Sequence, residues 1–149
     1  MPPKSFAEMG SVDLGAIEHL FNNAIPFNQF LGLETQKLER GAVEALLPFR
    51  PEFIGDPTRP ALHGGVISMV ADTVGGAAVF TLTDPGDKVA TIDLRVDYLR
   101  PGRGEDLHAR SEVIRVGNRV GVAEIKLWQS DPDAPIAVAK GVYTIKRSD

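Results

Sequence analysis

The feature that most constrains this chain is an apolar run from Gly64 to Thr83 that contains a single charged residue, Asp72. Twenty residues are enough to span a bilayer. However, a carboxylate at mid-bilayer costs roughly 2.5–3.5 kcal/mol, and the flanks lack a basic cluster and an aromatic belt. The run therefore predicts a helix buried on all sides inside a soluble domain rather than a membrane span.

The rest of the chain carries the signals of strands and short turns. Thr91 to Tyr98 alternates polar and apolar residues without interruption, which is typical of a half-buried strand. A short helix is predicted from Asp13 to Ile25, and the proline-rich segment 51–60 is expected to be an irregular loop. The predicted strands are 35–40, 42–49, 91–98, 107–116, 120–129 and 136–146. Short turns between strands imply antiparallel pairing.

These elements predict an α+β fold, because a helix that is apolar all round needs a curved antiparallel sheet to wrap it. A length of 149 residues indicates one domain. We expect residues 1–12, with two prolines and Gly10, to be a flexible N-terminal segment and residues 13–149 to form the single domain.

Composition excludes several classes of function. A formal net charge of −4 disfavours a dedicated nucleic-acid binder, which needs a basic surface. The absence of cysteine excludes thiol catalysis and cysteine-ligated zinc, and it fits a reducing compartment. The N-terminus has no secretory h-region, so we expect a cytoplasmic protein.

An aspartate inside an apolar helix has two interpretations. Asp72 can be a structural residue that hydrogen-bonds nearby backbone or lines a subunit interface. Alternatively, its carboxylate is held at low dielectric with a raised pKa and acts as a general base.

His63, Gly64 and Gly65 precede the helix and leave backbone N–H groups uncovered at its N-terminus, where a developing oxyanion would be stabilised. Taken alone, the tripeptide equally fits a loop histidine and a flexible helix start. Nine residues of helix span about 13.5 Å, so His63 and Asp72 of one chain cannot touch. Any cooperation between them requires a two-fold interface, with each subunit supplying one of the two groups.

The order of elements resembles the hotdog fold. The sequence Leu62-His63-Gly64-Gly65 followed by Asp72 is similar to acyl-CoA thioesterases of the phenylacetate-degradation type, as is the strand from Thr91 to Pro101. The resemblance covers roughly residues 27–145. It implies metal-independent, cofactor-free hydrolysis of an acyl-CoA or aryl-CoA thioester at the interface of a homodimer or a dimer of dimers.

The resemblance also implies roles for individual residues. Asp72 would be the general base or nucleophile, Gly64 N–H the oxyanion hole, and His63 a group that orients the thioester carbonyl. Gly65 would contact the substrate, and Thr91 would assist near the carboxylate. The strand alternation, however, places Thr91 on the outward face with Asp93, so Thr91 reaches the site only if the strand bends or meets a partner subunit.

One position departs from the family pattern. The loop before His63 usually contains an asparagine in this family, and the nearest candidate here is Asp56. Asp56 is either a second site carboxylate, which would raise the pKa of the pair, or a surface turn residue.

Six of the ten arginines lie between residues 95 and 119. Arg100, Arg103 and Arg119 are in or beside turns and are candidates to bind the phosphates of coenzyme A. Their other interpretation is as solvated strand faces and edge protection.

Two alternative functions remain. A non-catalytic acyl-CoA-binding hotdog module would have no reason to bury Asp72, and a hotdog hydratase or dehydratase would pair a histidine with an acid. The acyl group is left open by the sequence.

Overall fold

The computed structural model describes residues 4–149. Positions 1–3 of the predicted flexible segment lie outside the described residues. The helices are α1 (Leu14–His19), a π-helix (Leu20–Ala24), α2 (Pro26–Leu31) and α3 (Gly64–Phe80). The strands are β1 (Glu34–Glu39), β2 (Ala42–Leu47), β3 (Ile54–Asp56), β4 (Ala61–Leu62), β5 (Lys88–Tyr98), β6 (Leu107–Val116), β7 (Val120–Trp128) and β8 (Ala137–Lys146).

Six of these strands form one antiparallel sheet in the order β1-β2-β6-β7-β8-β5. The sheet wraps the long helix α3, and the core lies between the inner faces of the strands and Val70, Val74 and Val79 of the helix. This α+β arrangement is the predicted hotdog fold. The two outer strands, β1 and β5, each pair on one side only among the described residues.

The helix α3 is not buried on all sides, which corrects the sequence-based prediction. A stripe of half-buried residues runs along the face that the sheet of the same chain leaves uncovered. Its members are Ser68, Met69, Asp72, Thr73, Gly76 and Phe80. Composition could not reveal this face because most of its residues are small or apolar. Asp72 is therefore partly accessible in one chain rather than sealed in the core.

Gly75 and Gly76 lie inside α3, and two glycines within a helix indicate close packing against a neighbouring element. The Tyr143 side chain from β8 packs against both glycines, and a Cβ atom on Gly76 would lie 3.2 Å from Tyr143 Cε1. Each glycine destabilises a helix interior by about 1 kcal/mol relative to alanine, so the close approach offsets a local cost.

The N-terminal region differs from the predicted single helix. A π-helix follows α1, and Pro26 begins the new helix α2 at its first position, where proline's missing N–H leaves no bond unmade. Residues 4–12 contact the domain, since the N–H groups of Ser11 and Val12 both donate to the carbonyl of Thr83 at 3.1 Å.

Two other segments also depart from expectation. The proline-rich loop contains a short hairpin, because β3 pairs with β4. Strand β5 begins at Lys88 and has a bulge between Thr91 and Asp93, where Ile92 is the extra residue and is 57% exposed.

Candidate active site

Thr91 contacts Asp72 directly. The Thr91 hydroxyl donates to Asp72 Oδ1 at 2.7 Å. The bulge makes this contact possible. It absorbs Ile92, so Thr91 faces α3 together with Leu94 and Val96, whereas Asp93 keeps the opposite face. Strand β5 therefore bends at the bulge, which is one of the two ways in which Thr91 was expected to reach Asp72.

Tyr143 contacts the backbone of Asp72. Its hydroxyl donates to the backbone carbonyl of Asp72 at 3.0 Å, and its ring is 1% exposed. Burial raises the pKa of the Tyr143 hydroxyl, and the charge of Asp72 raises it further. The hydroxyl therefore stays protonated and remains a donor.

His63 caps the N-terminus of α3. Its Nδ1 accepts a hydrogen bond from Gly65 N–H at 2.8 Å, and its backbone carbonyl accepts from Val66 N–H at 3.0 Å. Gly64 N–H has no hydrogen-bond partner within the part of the chain that the structure describes. Of the two glycine N–H groups, only that of Gly64 is free to stabilise a negative charge, because Gly65 N–H is engaged by His63.

The two halves of the predicted site do not meet within one chain. His63 is the cap of α3, and Asp72 follows nine residues later, about 13.5 Å further along the helix axis. The structure therefore brings together Asp72 and Thr91 on one side, and His63 and Gly64 on the other.

Asp56 does not join Asp72 in the chain. Its carboxylate accepts hydrogen bonds from the Thr58 hydroxyl at 2.6 Å, from Arg59 Nε at 3.0 Å and from Thr58 N–H at 3.0 Å. These bonds, led by the Thr58 hydroxyl, lower the pKa of Asp56 to about 2. The pKa of Asp56 is thus lowered in this chain, not raised as in a carboxylate pair, and its hydrogen bonds are those of a surface turn residue.

A pocket of about 310 Å³ lies beside Asp72, between α3, the start of β5 and the N-terminal helices. Its lining residues are Leu20, Phe21, Ile25, Asn28, Asp72, Thr73, Gly76, Phe80, Val89, Ala90, Thr91 and Tyr143. The lining is mainly apolar. The pocket can therefore hold an apolar group next to the carboxylate.

Sequence reasoning missed Asn28 and Tyr143. Asn28 is 2% exposed, donates from Nδ2 to the carbonyl of Phe21 at 3.2 Å, and lines the pocket of Asp72. Asn28 and Gln29 both stand between Phe27 and Phe30, so the sequence shows polar residues within an apolar segment but does not indicate that Asn28 is the buried one.

The candidate phosphate-binding arginines are divided between two ends of the sheet. Arg100 and Arg103 line a surface pocket of about 620 Å³ together with Arg59. Arg119 lies beside the other end of β8, where its carbonyl accepts from Ile145 N–H at 2.7 Å. Ten residues of strand span about 30 Å, so Arg119 does not reach the pocket of Arg100 in one chain.

None of the helices within residues 4–149 is both long and apolar enough to cross a membrane. Within the same residues, His, Asp and Glu side chains do not form any group of three or more that could hold a metal ion.

The sequence model of the Thioesterase superfamily matches residues 60–136, which include the His63 turn, Asp72 and Thr91. The chain belongs to this superfamily. This thioesterase is 35% identical over 145 residues to the medium/long-chain acyl-CoA thioesterase YigI of Salmonella typhimurium, with 89% of this chain and 93% of that protein covered. The Escherichia coli K12 YigI is 34% identical over the same length.

Solved structures agree with the fold of this thioesterase. A Shewanella oneidensis protein related to the thioesterase superfamily is 35% identical, with a TM-score of 0.78 over 88% of this chain and 94% of that one. A thioesterase family protein from Silicibacter pomeroyi has a TM-score of 0.82 over 91% of this chain and 100% of that one. Its 24% identity supports the fold alone.

Proposed function

We propose that this thioesterase hydrolyses acyl-CoA thioesters, with Asp72 as the catalytic carboxylate. The observation that carries the proposal is the contact of Thr91 with Asp72 Oδ1 at 2.7 Å beside a mainly apolar pocket. The substrate class is supported by the two YigI relatives, which are named as medium/long-chain acyl-CoA thioesterases.

The reaction needs a base and a place for negative charge. In the general-base form, Asp72 Oδ2 takes a proton from water as the water oxygen attacks the thioester carbonyl carbon. The carbonyl electron pair moves onto oxygen, where Gly64 N–H donates to it. When the carbonyl re-forms, the C–S bond breaks, and the departing thiolate takes up the proton. If Asp72 instead attacks as a nucleophile, its carboxylate oxygen bonds to the thioester carbonyl carbon, the C–S bond breaks, and a mixed anhydride forms. Water that hydrolyses the anhydride at the Asp72 carbonyl carbon then leaves labelled oxygen in the Asp72 carboxylate in a single turnover.

The active site is proposed to be shared between two subunits. Strand β5 is eleven residues long and pairs only with β8 in the described chain, and apolar residues Ile92, Tyr98 and Leu99 are more than half exposed along or beside it. An edge strand of this length presents unpaired backbone N–H and C=O groups and is a template for pairing. Antiparallel pairing of two copies of β5 would continue the sheet and set the α3 helices side by side, with Asp72 of one opposite Gly64 of the other.

The mainly apolar pocket beside Asp72 is proposed to hold the acyl chain. It follows α3 from Asp72 to Phe80, eight residues or about 12 Å along the axis. Arg100, Arg103 and Arg59 are proposed to bind the coenzyme A phosphates at the other pocket, which is close to the helix start because Leu62 N–H donates to Gly102 O at 3.0 Å.

The decisive experiment incubates the purified protein with a series of acyl-CoA thioesters and a thiol-reactive dye, with and without a chelator. We expect free thiol from every productive substrate, higher kcat/KM for chains that fill the pocket than for acetyl-CoA, and no effect of the chelator. An altered acyl chain without free thiol would indicate a hydratase. Binding without turnover would indicate a binding module, and either result would overturn the proposal.

A further inference from the structure

Tyr143 lies at a crossing of three structural elements. It belongs to β8, stands opposite Thr91 of β5 in the strand register, and faces Gly121 of β7 on its other side. It is also among the largest side chains that are fully buried. A residue in this position can set the distance between the helix that carries Asp72 and the strand that carries Thr91.

Three glycines make room for its ring. A Cβ atom on Gly141 would come within 2.7 Å of Tyr143 Cζ, and one on Gly76 would lie 3.2 Å from Cε1. A Cβ atom on Gly75 would clash with the hydroxyl itself. Two consecutive glycines destabilise a helix interior. The close approach of the Tyr143 ring to α3 explains why glycines stand at these two positions of the helix.

The hydroxyl ends on the residue that matters for the reaction. It donates at 3.0 Å to the backbone carbonyl of Asp72, while Thr91, its neighbour across the ladder, donates at 2.7 Å to the side chain of the same residue. Asp72 is thus held at its backbone and at its carboxylate by two residues that are paired with each other. The bulge at Ile92 is what turns Thr91 toward this point.

We propose that Tyr143 and its glycine socket, formed by Gly75, Gly76 and Gly141, position the Asp72 carboxylate against Thr91. Tyr143 does not touch the substrate thioester in this account and acts only through Asp72. The inference rests on the proposed function, since it concerns the geometry of the same carboxylate.

The structure supplies a matched control. Ser111 of β6 is also fully buried, and its hydroxyl donates to the carbonyl of Val74, two residues beyond Asp72 on α3, at 2.7 Å. Tyr143→Phe and Ser111→Ala each remove one hydroxyl-to-helix hydrogen bond from the core. Only the first bond ends on Asp72.

The experiment compares kcat, KM and Tm for the wild-type protein, Tyr143→Phe and Ser111→Ala with one acyl-CoA substrate. We expect Tyr143→Phe to lower kcat at least about tenfold, because small misplacements of catalytic groups are costly, with KM changed less than about twofold. Ser111→Ala should lose a similar amount of Tm but keep kcat within about twofold. Equal kcat in the two variants would overturn the proposal.

The kcat of a double variant distinguishes positioning of Asp72 from a purely structural role of Tyr143. If Tyr143 acts through the Asp72–Thr91 contact, Thr91→Val together with Tyr143→Phe lowers kcat no more than the worse single variant. Multiplied losses would contradict the proposal. Crystal structures of the same variants report independently of turnover. The Thr91–Asp72 hydrogen bond should be lost in Tyr143→Phe and kept in Ser111→Ala. If both variants keep this hydrogen bond, the inference is wrong. That conclusion would hold even if the wild-type protein hydrolysed none of the thioesters.

Discussion

Replacing Gly64 by proline removes the proposed oxyanion donor while changing little else. Gly64 is the first residue of α3, where proline is favoured because its missing N–H is not needed by the helix. His63 before it has φ −61° and ψ 129°, the extended conformation that a residue before proline prefers. A Cβ atom at this position would lie 3.5 Å from Tyr98 Cε1, an ordinary contact. The fold should therefore tolerate the change.

The expected loss is specific to turnover. Removal of one oxyanion donor typically lowers kcat by about 10²- to 10³-fold, or about 2.7–4 kcal/mol of transition-state stabilisation. We expect that loss for Gly64→Pro because Gly64 N–H is the free donor of this turn, Gly65 N–H being engaged by His63. The assay is thiol release at saturating acyl-CoA, with Tm measured on the same preparation.

Gly64→Ala is the matched control, because it adds the Cβ atom and keeps the N–H. Its kcat should stay within about two- to threefold of wild type, a change of about 0.5 kcal/mol in activation free energy, because the donor is kept. A folded Gly64→Pro protein that is as active as Gly64→Ala would refute the oxyanion assignment.

Three further predictions follow from the contacts described. Thr91→Val removes a hydrogen bond to a charged group, which is worth about 1.5 kcal/mol at the low end suited to an exposed residue, so kcat should fall about tenfold. Thr91→Ser keeps the hydroxyl and should have a kcat near that of wild type. Equal losses of kcat in the two variants would show that the hydroxyl does not contribute. Charge reversal at Arg100 or Arg103 should raise KM for acyl-CoA more than KM for a pantetheine thioester, which lacks the nucleotide. Charge reversal at Arg119, near the other end of the sheet, should change KM for both substrates alike. A larger effect of Arg119 on acyl-CoA than on the pantetheine thioester would contradict this assignment. The carboxylate of Asp87 accepts hydrogen bonds from the backbone N–H groups of Asp84 and Ser148 and from the Arg147 guanidinium, and these bonds lower its pKa. The ionised carboxylate therefore stabilises the fold above pH 3.8, the ordinary pKa of aspartate. This stabilisation is lost as pH falls through the lower pKa of the folded state. Asp87→Asn should therefore lower Tm at neutral pH, with the difference from wild type shrinking in acid, and a difference that is constant with pH would rule this out.

Sequence reasoning identified the central helix and the antiparallel strands because both depend on side-chain periodicity. The apolar run and its one charge predicted α3 and directed attention to Asp72. The same run misled on burial, because small and apolar residues on the open face of α3 look identical to core residues in sequence. Which face a helix exposes is decided by the rest of the fold.

The bulge at Ile92 was beyond sequence reasoning for a different physical reason. Unbroken alternation from Thr91 to Tyr98 favours a regular strand. The structure inserts Ile92 as an extra residue, and Thr91 then faces Asp72. Likewise, Gly75 and Gly76 indicated a close approach, but only the three-dimensional structure identified Tyr143 as the group that approaches.

The local turn at Asp56 shows a third limit. Its carboxylate had two interpretations in sequence, and the choice between them depended on whether Thr58 and Arg59 fold back onto it. Contacts between near neighbours in a proline-rich loop follow from its backbone path, which residue types alone do not specify.

The most direct test of the shared site is the activity of a purified mixed dimer, with Asp72→Asn in one subunit and Gly64→Pro in the other. Each variant alone should lose at least about 10²-fold in kcat. Because Asp72 is partly exposed and asparagine can still accept from Thr91, Tm should change little in that variant. In the mixed dimer, one of the two sites combines both defects and the other combines an intact Asp72 with an intact Gly64. The account predicts recovery of about half of the wild-type activity per dimer, and a mixed dimer as inactive as its two parents would contradict it.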